Sequence, residues 1–201
     1  MPYKRLFFLV GFGFLLSACA VDPVPEIAYY RMPEIISNQQ SSSLTSTLPI
    51  VVDTFLADGL HGEQAILYST KPGGSIRAYH YQLWNDPPVR LLQRRLIKHL
   101  RQQKNAVLVT DRLGSSVAAL RVSGLIERFE RTKVANGGWQ AEVALELRVD
   151  KVRDQAPLLV KAYSVTVPIE GDSMQATVRA FARGTDQVFV QFAHDFAEVK
   201  P

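Results

Sequence analysis

The chain has 201 residues, with 23 lysines and arginines against 19 aspartates and glutamates, a formal charge of +4, and one cysteine, Cys19. This length fits a single domain, which buries about two-thirds of its unfolded surface without cross-links, and a lone cysteine excludes an intrachain disulfide. The basic excess is too small to mark a nucleic-acid binder, which gathers a larger excess on one face.

Lys4 and Arg5 are the only charges before Cys19, and the apolar run from Leu6 to Leu16 follows them. A basic start, a short apolar stretch and small residues make a secretory signal; the stretch is too short to cross a hydrocarbon core about 30 Å thick. Residues 1–18 are therefore expected to be cleaved. Leu16, Ser17, Ala18 and Cys19 resemble the lipobox of bacterial lipoproteins. The resemblance implies that Cys19 receives a diacylglyceryl group, and that cleavage then frees an amine for acylation by a fatty acid such as palmitate. An ordinary signal peptide with a chance cysteine is the alternative.

Removal of 1–18 leaves 183 residues, with 21 basic against 19 acidic side chains and a net charge of +2. Each buried lipid methylene contributes about 0.8 kcal/mol, and two or three acyl chains hold stably, so such an anchor keeps the chain on a membrane unaided. Ala20, not aspartate, follows the cysteine, which by the Gram-negative sorting pattern implies an outer-membrane lipoprotein facing the periplasm. Residues 19–27, with Pro23 and Pro25, read as a stiff tether of about 3 Å per residue, and residues 28–201 as one periplasmic domain.

Ala28 to Met32 is a short strand candidate, and Ser37 to Thr47 is polar and loop-like. Ile50 to Phe55, Gln64 to Ser69 and Ser75 to Leu83 read as strands between glycine- and proline-rich turns. Asp86 before Pro87 and Pro88 suits a helix start with aspartate as its cap. That helix should run to about Lys104, with Val89, Leu92, Leu96 and Leu100 on its core face and Trp84 packed against it.

Ala106 to Thr110 is expected as a buried strand. Ala118 to Arg131 follows as a long strand whose apolar positions change face, with a bulge expected near Gly124. After the hairpin signal Asn136, Gly137, Gly138, Trp139 to Asp150 alternates without a break, and in Leu158 to Ile169 the residues Tyr163, Val165, Val167 and Ile169 share a face. Such strands have one face on a core and one in water and form an antiparallel meander. Asp172 and Gln175 make a capping-box signature before a final helix carrying Val178, Phe181, Val188, Phe189, Phe192 and Phe196. The fold class is α+β: a mainly antiparallel β-sheet with two long helices packed on one face.

Catalytic chemistry is hard to place. His61, His80, His99 and His194 lack the spacing of a zinc site, and neither a nucleophile elbow nor a phosphate-binding loop occurs. Glu142 and Glu146 would stand about 13 Å apart on one strand face, too far for a glycosidase pair. The expectation is no enzyme, no metal and no cofactor.

Two stretches are candidates for partner binding. Arg90, Arg94, Lys98 and Arg101 form a basic stripe on the first helix, either a solvated helix back or a contact for lipid headgroups or an acidic partner. The loop Ala57 to Gln64 carries Leu60 and is either a plain connection or a docking edge.

The order and spacing of several segments resemble the ABC-type transport auxiliary lipoproteins. They are Cys19; Tyr29, Tyr30, Arg31; Ile50 to Gly59 leading to Gln64 to Tyr68; Tyr79, His80, Tyr81 and Trp84; and Asp86 to Pro88 with Leu91, Leu92 and Leu96. The resemblance implies a non-enzymatic partner of an MCE-domain protein in an ABC transport system that moves lipids between the two membranes. In that setting the domain docks the periplasmic MCE component at the outer membrane. A ring of copies would match the ring symmetry of such partners. An envelope structural or assembly lipoprotein without a role in lipid transport is the other reading.

Overall fold

Apolar spacing and turn residues divide the first part of the chain into six strands and a single helical turn. The strands are β1 (Ala28–Tyr30), β2 (Thr45–Ser46), β3 (Ile50–Val52), β4 (Leu56–Ala57), β5 (Ala65–Ser69) and β6 (Ile76–Trp84), with a 3-10 turn at Gly59–Gly62 before β5. Helix α1 (Pro88–Arg101) and the short strands β7 (Asn105–Ala106) and β8 (Val109–Thr110) come next. Three long strands, β9 (Leu120–Lys133), β10 (Trp139–Lys151) and β11 (Pro157–Ile169), lead to helix α2 (Met174–Glu198). The computed structural model describes residues 25–34, 45–103, 105–106, 108–114, 116–135, 137–152 and 156–199. The signal segment, Cys19, most of the tether, most of the Ser37 to Thr47 loop and Lys104 lie outside the described residues.

The meander is present. β10 pairs antiparallel with both β9 and β11, and its odd positions Ala141, Val143, Leu145, Leu147 and Val149 are buried. Gly137, at φ +90°, makes the tight turn into β10 with a backbone that side chains resist. The opposite face of β10 is not simply in water, because Glu142 and Glu146 are half-buried and Ala144 is buried.

The sheet is mixed, not mainly antiparallel. β3, β4 and β5 lie end to end along the other side of β9, and all three run parallel to it. β6 returns antiparallel to β5, β1 adds parallel to β6, and β8 is parallel to β3. Parallel neighbours need a long crossover; here β6 and α1 supply it between the segment containing β3 to β5 and β9. Local turn signals report hairpins and carry nothing about such distant pairings.

Helix α2 packs on β10 and β11, while α1 lies beside α2 and against β3, β8 and the 3-10 turn. Both helices feed one core, which includes Leu92, Leu96 and Leu100 of α1 and Phe181, Phe189, Phe192 and Phe196 of α2. Each such side chain contributes roughly 1.5–3 kcal/mol when fully buried. Trp84 packs on Phe129 of β9, with ring centroids 5.5 Å apart, and edge-on against Phe181 of α2 at 5.4 Å.

Local details depart from expectation at several places. The strand begun at Ile50 stops at Val52, and Phe55 turns into the core. The strand expected at Ala106 to Thr110 is two short pieces, with Leu108 exposed between them. The bulge in β9 falls at Glu127, because Ala144 faces Arg128 and Leu145 faces Ile126. Gly124 serves another purpose: a Cβ there would stand 2.8 Å from three ring carbons of Phe55, so the glycine admits that ring.

Asp86 does not cap α1, whose N-cap position is Pro87 without a side-chain cap, and the helix ends at Arg101. Ser173, not Asp172, caps α2, its hydroxyl accepting from the Ala176 N–H at 3.1 Å. Asp172 instead turns toward Arg131, whose guanidinium lies 4.0 Å over the Trp139 ring and donates to the Tyr79 hydroxyl at 3.1 Å.

Candidate functional site

All four residues of the basic stripe on α1 are exposed, but three are held by the protein itself. The Arg94 guanidinium meets the Asp86 carboxylate at 2.5 Å, which explains why Asp86 is unavailable as a cap. Lys98 pairs with Glu34, and Arg101 donates from Nε to the Val109 carbonyl at 2.8 Å. Arg90 has no ion-pair partner among the described residues. It borders an open polar cleft of about 420 Å³ together with Asp53, Thr54, Gln93, Asp111 and Arg112.

A second cleft, of about 230 Å³, runs between α1 and the segment after β1 and is lined by Arg31, Met32, Leu91, Arg94 and Lys98 among others. Its floor holds Arg95, which the basic stripe did not include. Arg95 is buried, binds Asp186 of α2 through Nε and NH2 at 2.7 and 2.8 Å, and donates from NH1 to the Pro33 carbonyl at 2.7 Å. A charge inside the apolar arc of the helix was the available signal: at about 100° per residue, Arg95 stands about 60° from Leu92.

Leu60 is 48 % exposed on the 3-10 turn. His61 beside it is buried and fastens the turn to β9, its Nδ1 accepting from the Phe129 backbone N–H at 3.3 Å. That bond places the neutral ring's proton on Nε2, which lies 4.0 Å from Oε2 of buried Glu130. Burial lowers the His61 pKa, Asp58 opposing and Arg128 reinforcing the effect. Burial also raises the Glu130 pKa, helped by Glu142 directly opposite on β10 and resisted by Arg128. A buried carboxyl with a raised pKa is a familiar functional signal, but Glu130 lines neither of these two clefts.

Near the end of α2, Asp195 accepts from the Tyr163 hydroxyl at 2.7 Å and pairs with Lys161 at 2.8 Å. Burial works to raise the Asp195 pKa, but hydrogen bonds from Lys161 and Tyr163, with the charges of Lys161 and His194, bring it below the ordinary value. Burial, with the bond to Asp195, pushes Tyr163 above the usual tyrosine range. His194, Asp195 and Glu198 each offer one ligand atom within 4.8 Å of the others. His194 and Glu198 are exposed, and Asp195 is already taken by its two partners.

No helix among the described residues is long and apolar enough to cross a membrane. The candidate contacts are thus surfaces and open clefts around one core, and the candidate attachment residue, Cys19, lies outside the described part.

A family model described as an ABC-type transport auxiliary lipoprotein component matches residues 30–193. No curated protein matches the chain. Among solved structures, protein XCC0632 from Xanthomonas campestris is 16 % identical with a TM-score of 0.74, over 85 % of this chain and 95 % of that one. The structure of a second, uncharacterized protein is 15 % identical with a TM-score of 0.68, over 85 % of this chain and 99 % of that one. The hypothetical protein CT253 from Chlamydia trachomatis is more distant, 9 % identical with a TM-score of 0.51, over 77 % and 98 %. At these identities the likeness concerns the fold alone.

Proposed function

The chain belongs to the ABC-type transport auxiliary lipoprotein family, and on that premise we propose that it is a non-enzymatic accessory of an intermembrane lipid transport system. In this reading Cys19 carries the lipid, palmitate included, that anchors the domain in the outer membrane. The domain faces the periplasm and docks the MCE-domain component of the transporter there. Copies of the chain would assemble to match the symmetry of that ring-forming partner.

The single observation that carries the reading is the family match, which spans nearly all of the described domain. The side-chain chemistry agrees with it. Arg94, Lys98 and Arg95 are committed to Asp86, Glu34 and Asp186, so their charges hold the domain together more than they await a substrate.

Pull-down of the lipidated mature protein with the MCE-domain protein of its own genomic neighbourhood tests the reading. Association at micromolar concentration, weakened by charge reversal at Arg90 or by Leu60→Asp, is the expected result. No association with the anchor intact would leave an envelope scaffold as the better account.

A further inference from the structure

Strand β1 is short, yet it brings a distinct surface with it. Alternation along the strand sends Ala28 and Tyr30 toward the core side, where Tyr30 packs against core residues and its hydroxyl donates to Oε1 of Gln82 at 2.5 Å. Ile27 and Tyr29 therefore point the other way, and they are 53 % and 60 % exposed.

The register extends the surface onto β6. Ala28 faces Gln82 and Tyr29 faces Leu83 in a parallel pair, so Ile27 stands level with Tyr81. Trp84 is buried in the core and Gln82 meets Tyr30, which leaves half-buried Leu83 on the same outer side as Tyr29; Tyr81, one residue before Gln82 and 37 % exposed, adjoins them where the pairing of β6 with β5 shifts register. Two adjacent strands thus present an isoleucine, two tyrosines and the edge of a leucine, without a charge among them.

Side chains with an apolar body and a polar tip are suited to the boundary between lipid headgroups and acyl chains, where tyrosine is enriched. The position of the patch in the chain identifies its occupant. Ile27 is eight residues beyond Cys19, and at about 3.5 Å per residue even a fully extended connection spans about 28 Å. A globular domain of this size is itself about 30–40 Å across. The patch is therefore at the root of the tether, while β11 lies at the far end of the strand order.

We propose that the outer side of the β1–β6 pair, through Ile27, Tyr29 and Tyr81, rests on the bilayer that holds the anchor, so that the membrane orients the domain as well as retaining it. The inference depends on the reading of Cys19 as lipidated. Contact with the bilayer fixes the β1 edge toward lipid and turns the β11 edge away from it.

The test uses the lipidated full-length mature protein on vesicles of phosphatidylethanolamine and phosphatidylglycerol, with or without lipids dibrominated in their acyl chains. Tyr29→Trp and, for comparison, Val160→Trp on exposed β11 are measured against the unsubstituted protein, which supplies the background of Trp84 and Trp139. The expected result is a blue shift and a loss of emission on brominated vesicles for Tyr29→Trp, with neither for Val160→Trp. Equal emission of Tyr29→Trp on both kinds of vesicle, in protein whose mass shows the anchor and which floats with the vesicles, overturns the proposal. If Tyr29→Asp and Tyr81→Asp then abolish capture of the MCE-domain protein, the patch is a protein-docking edge instead. A mass without lipid would overturn the anchor reading, a separate failure that leaves no tether to orient.

Discussion

Arg95 of α1 grips Asp186 of α2 through two parallel hydrogen bonds of 2.7 and 2.8 Å, and its remaining amine holds the Pro33 carbonyl. One cation thereby joins both helices to the segment that follows β1. Arg95 is almost fully buried whereas Asp186 keeps about a quarter of its side-chain exposure. Asp186→Ala, which strands the buried cation, is expected to cost about 3 kcal/mol in urea unfolding. Arg95→Met keeps most of the volume and leaves an aspartate that water can reach, so it should cost less, about 2 kcal/mol. The double variant should be less destabilised than the sum of the two; simple additivity would show that the pair is not coupled.

Gly124 and Phe55 make a second, steric pair. Gly124→Ala drives a methyl group to 2.8 Å from the Phe55 ring, and overpacking of this kind costs about 1–3 kcal/mol. Phe55→Leu in the same chain should recover part of that loss, even though Phe55→Leu alone destabilises. Thermal melts of the four proteins read the cycle directly, and independence of the two sites would show that the chain shifts to admit the methyl group.

Acid sensitivity should come in part from two buried imidazoles. Burial lowers the pKa of His61 and of His99 below 6.5, with Asp58 and Asp186, respectively, acting in the opposite direction. Below about pH 6.5 the unfolded chain binds protons that the folded chain still refuses, so stability falls with pH until the folded pKa values are passed. His99→Leu and His61→Gln should each flatten that decline in denaturation measured from pH 7.5 to pH 5, whatever they do to stability at neutral pH.

Glu130 has the opposite sign. Its pKa is raised by burial and then by Glu142, so as pH rises from about 4.5 through the folded pKa the folded chain holds a proton that the unfolded chain has released. Stability is lost over that window. Glu130→Gln should therefore melt higher than the unsubstituted protein at pH 7.5, with the advantage shrinking toward pH 4; an advantage independent of pH would assign the effect to packing.

Cys19→Ser supplies the test of attachment. The native chain is expected to carry the mass of a diacylglyceryl and an acyl group and to sediment with membranes. The serine variant should lack that mass and leave the membrane fraction while its melting temperature stays unchanged, because residue 19 belongs to the expected tether, ahead of the folded domain. Full transport activity from the unlipidated form would contradict a role that rests on position.

The parts of this fold that sequence made legible are those whose signal lies within one element. Five alternating apolar residues in β10 and the phenylalanine spacing of α2 each report a face directly. The parallel placement of β3, β4 and β5 on β9 was not legible, since pairing partners such as Ile50 and Leu120 are remote in sequence. The basic stripe of α1 was found by the same periodicity, but its ion pairs were not. Asp86 and Glu34 sit in irregular backbone, and only folding brings Glu34 to Lys98. Arg95 was not legible as a tie between the helices because the leucines around it define the apolar arc, and its partner Asp186 is remote in sequence.

The placement of β9 between two halves of the chain bears on how the domain acquires its structure in time. On one side β9 holds strands from Ile50 to Ser69; on the other it holds β10. Contacts so distant in sequence demand the closure of long loops before they return any stabilisation, and chains rich in them fold slowly. A growing polypeptide that has extended only through α1 already carries the apolar segments Ile50–Val52 and Ile66–Leu67 but has no β9 on which to lay them. The earlier half must wait, with those segments uncovered, until β9 has emerged to receive it.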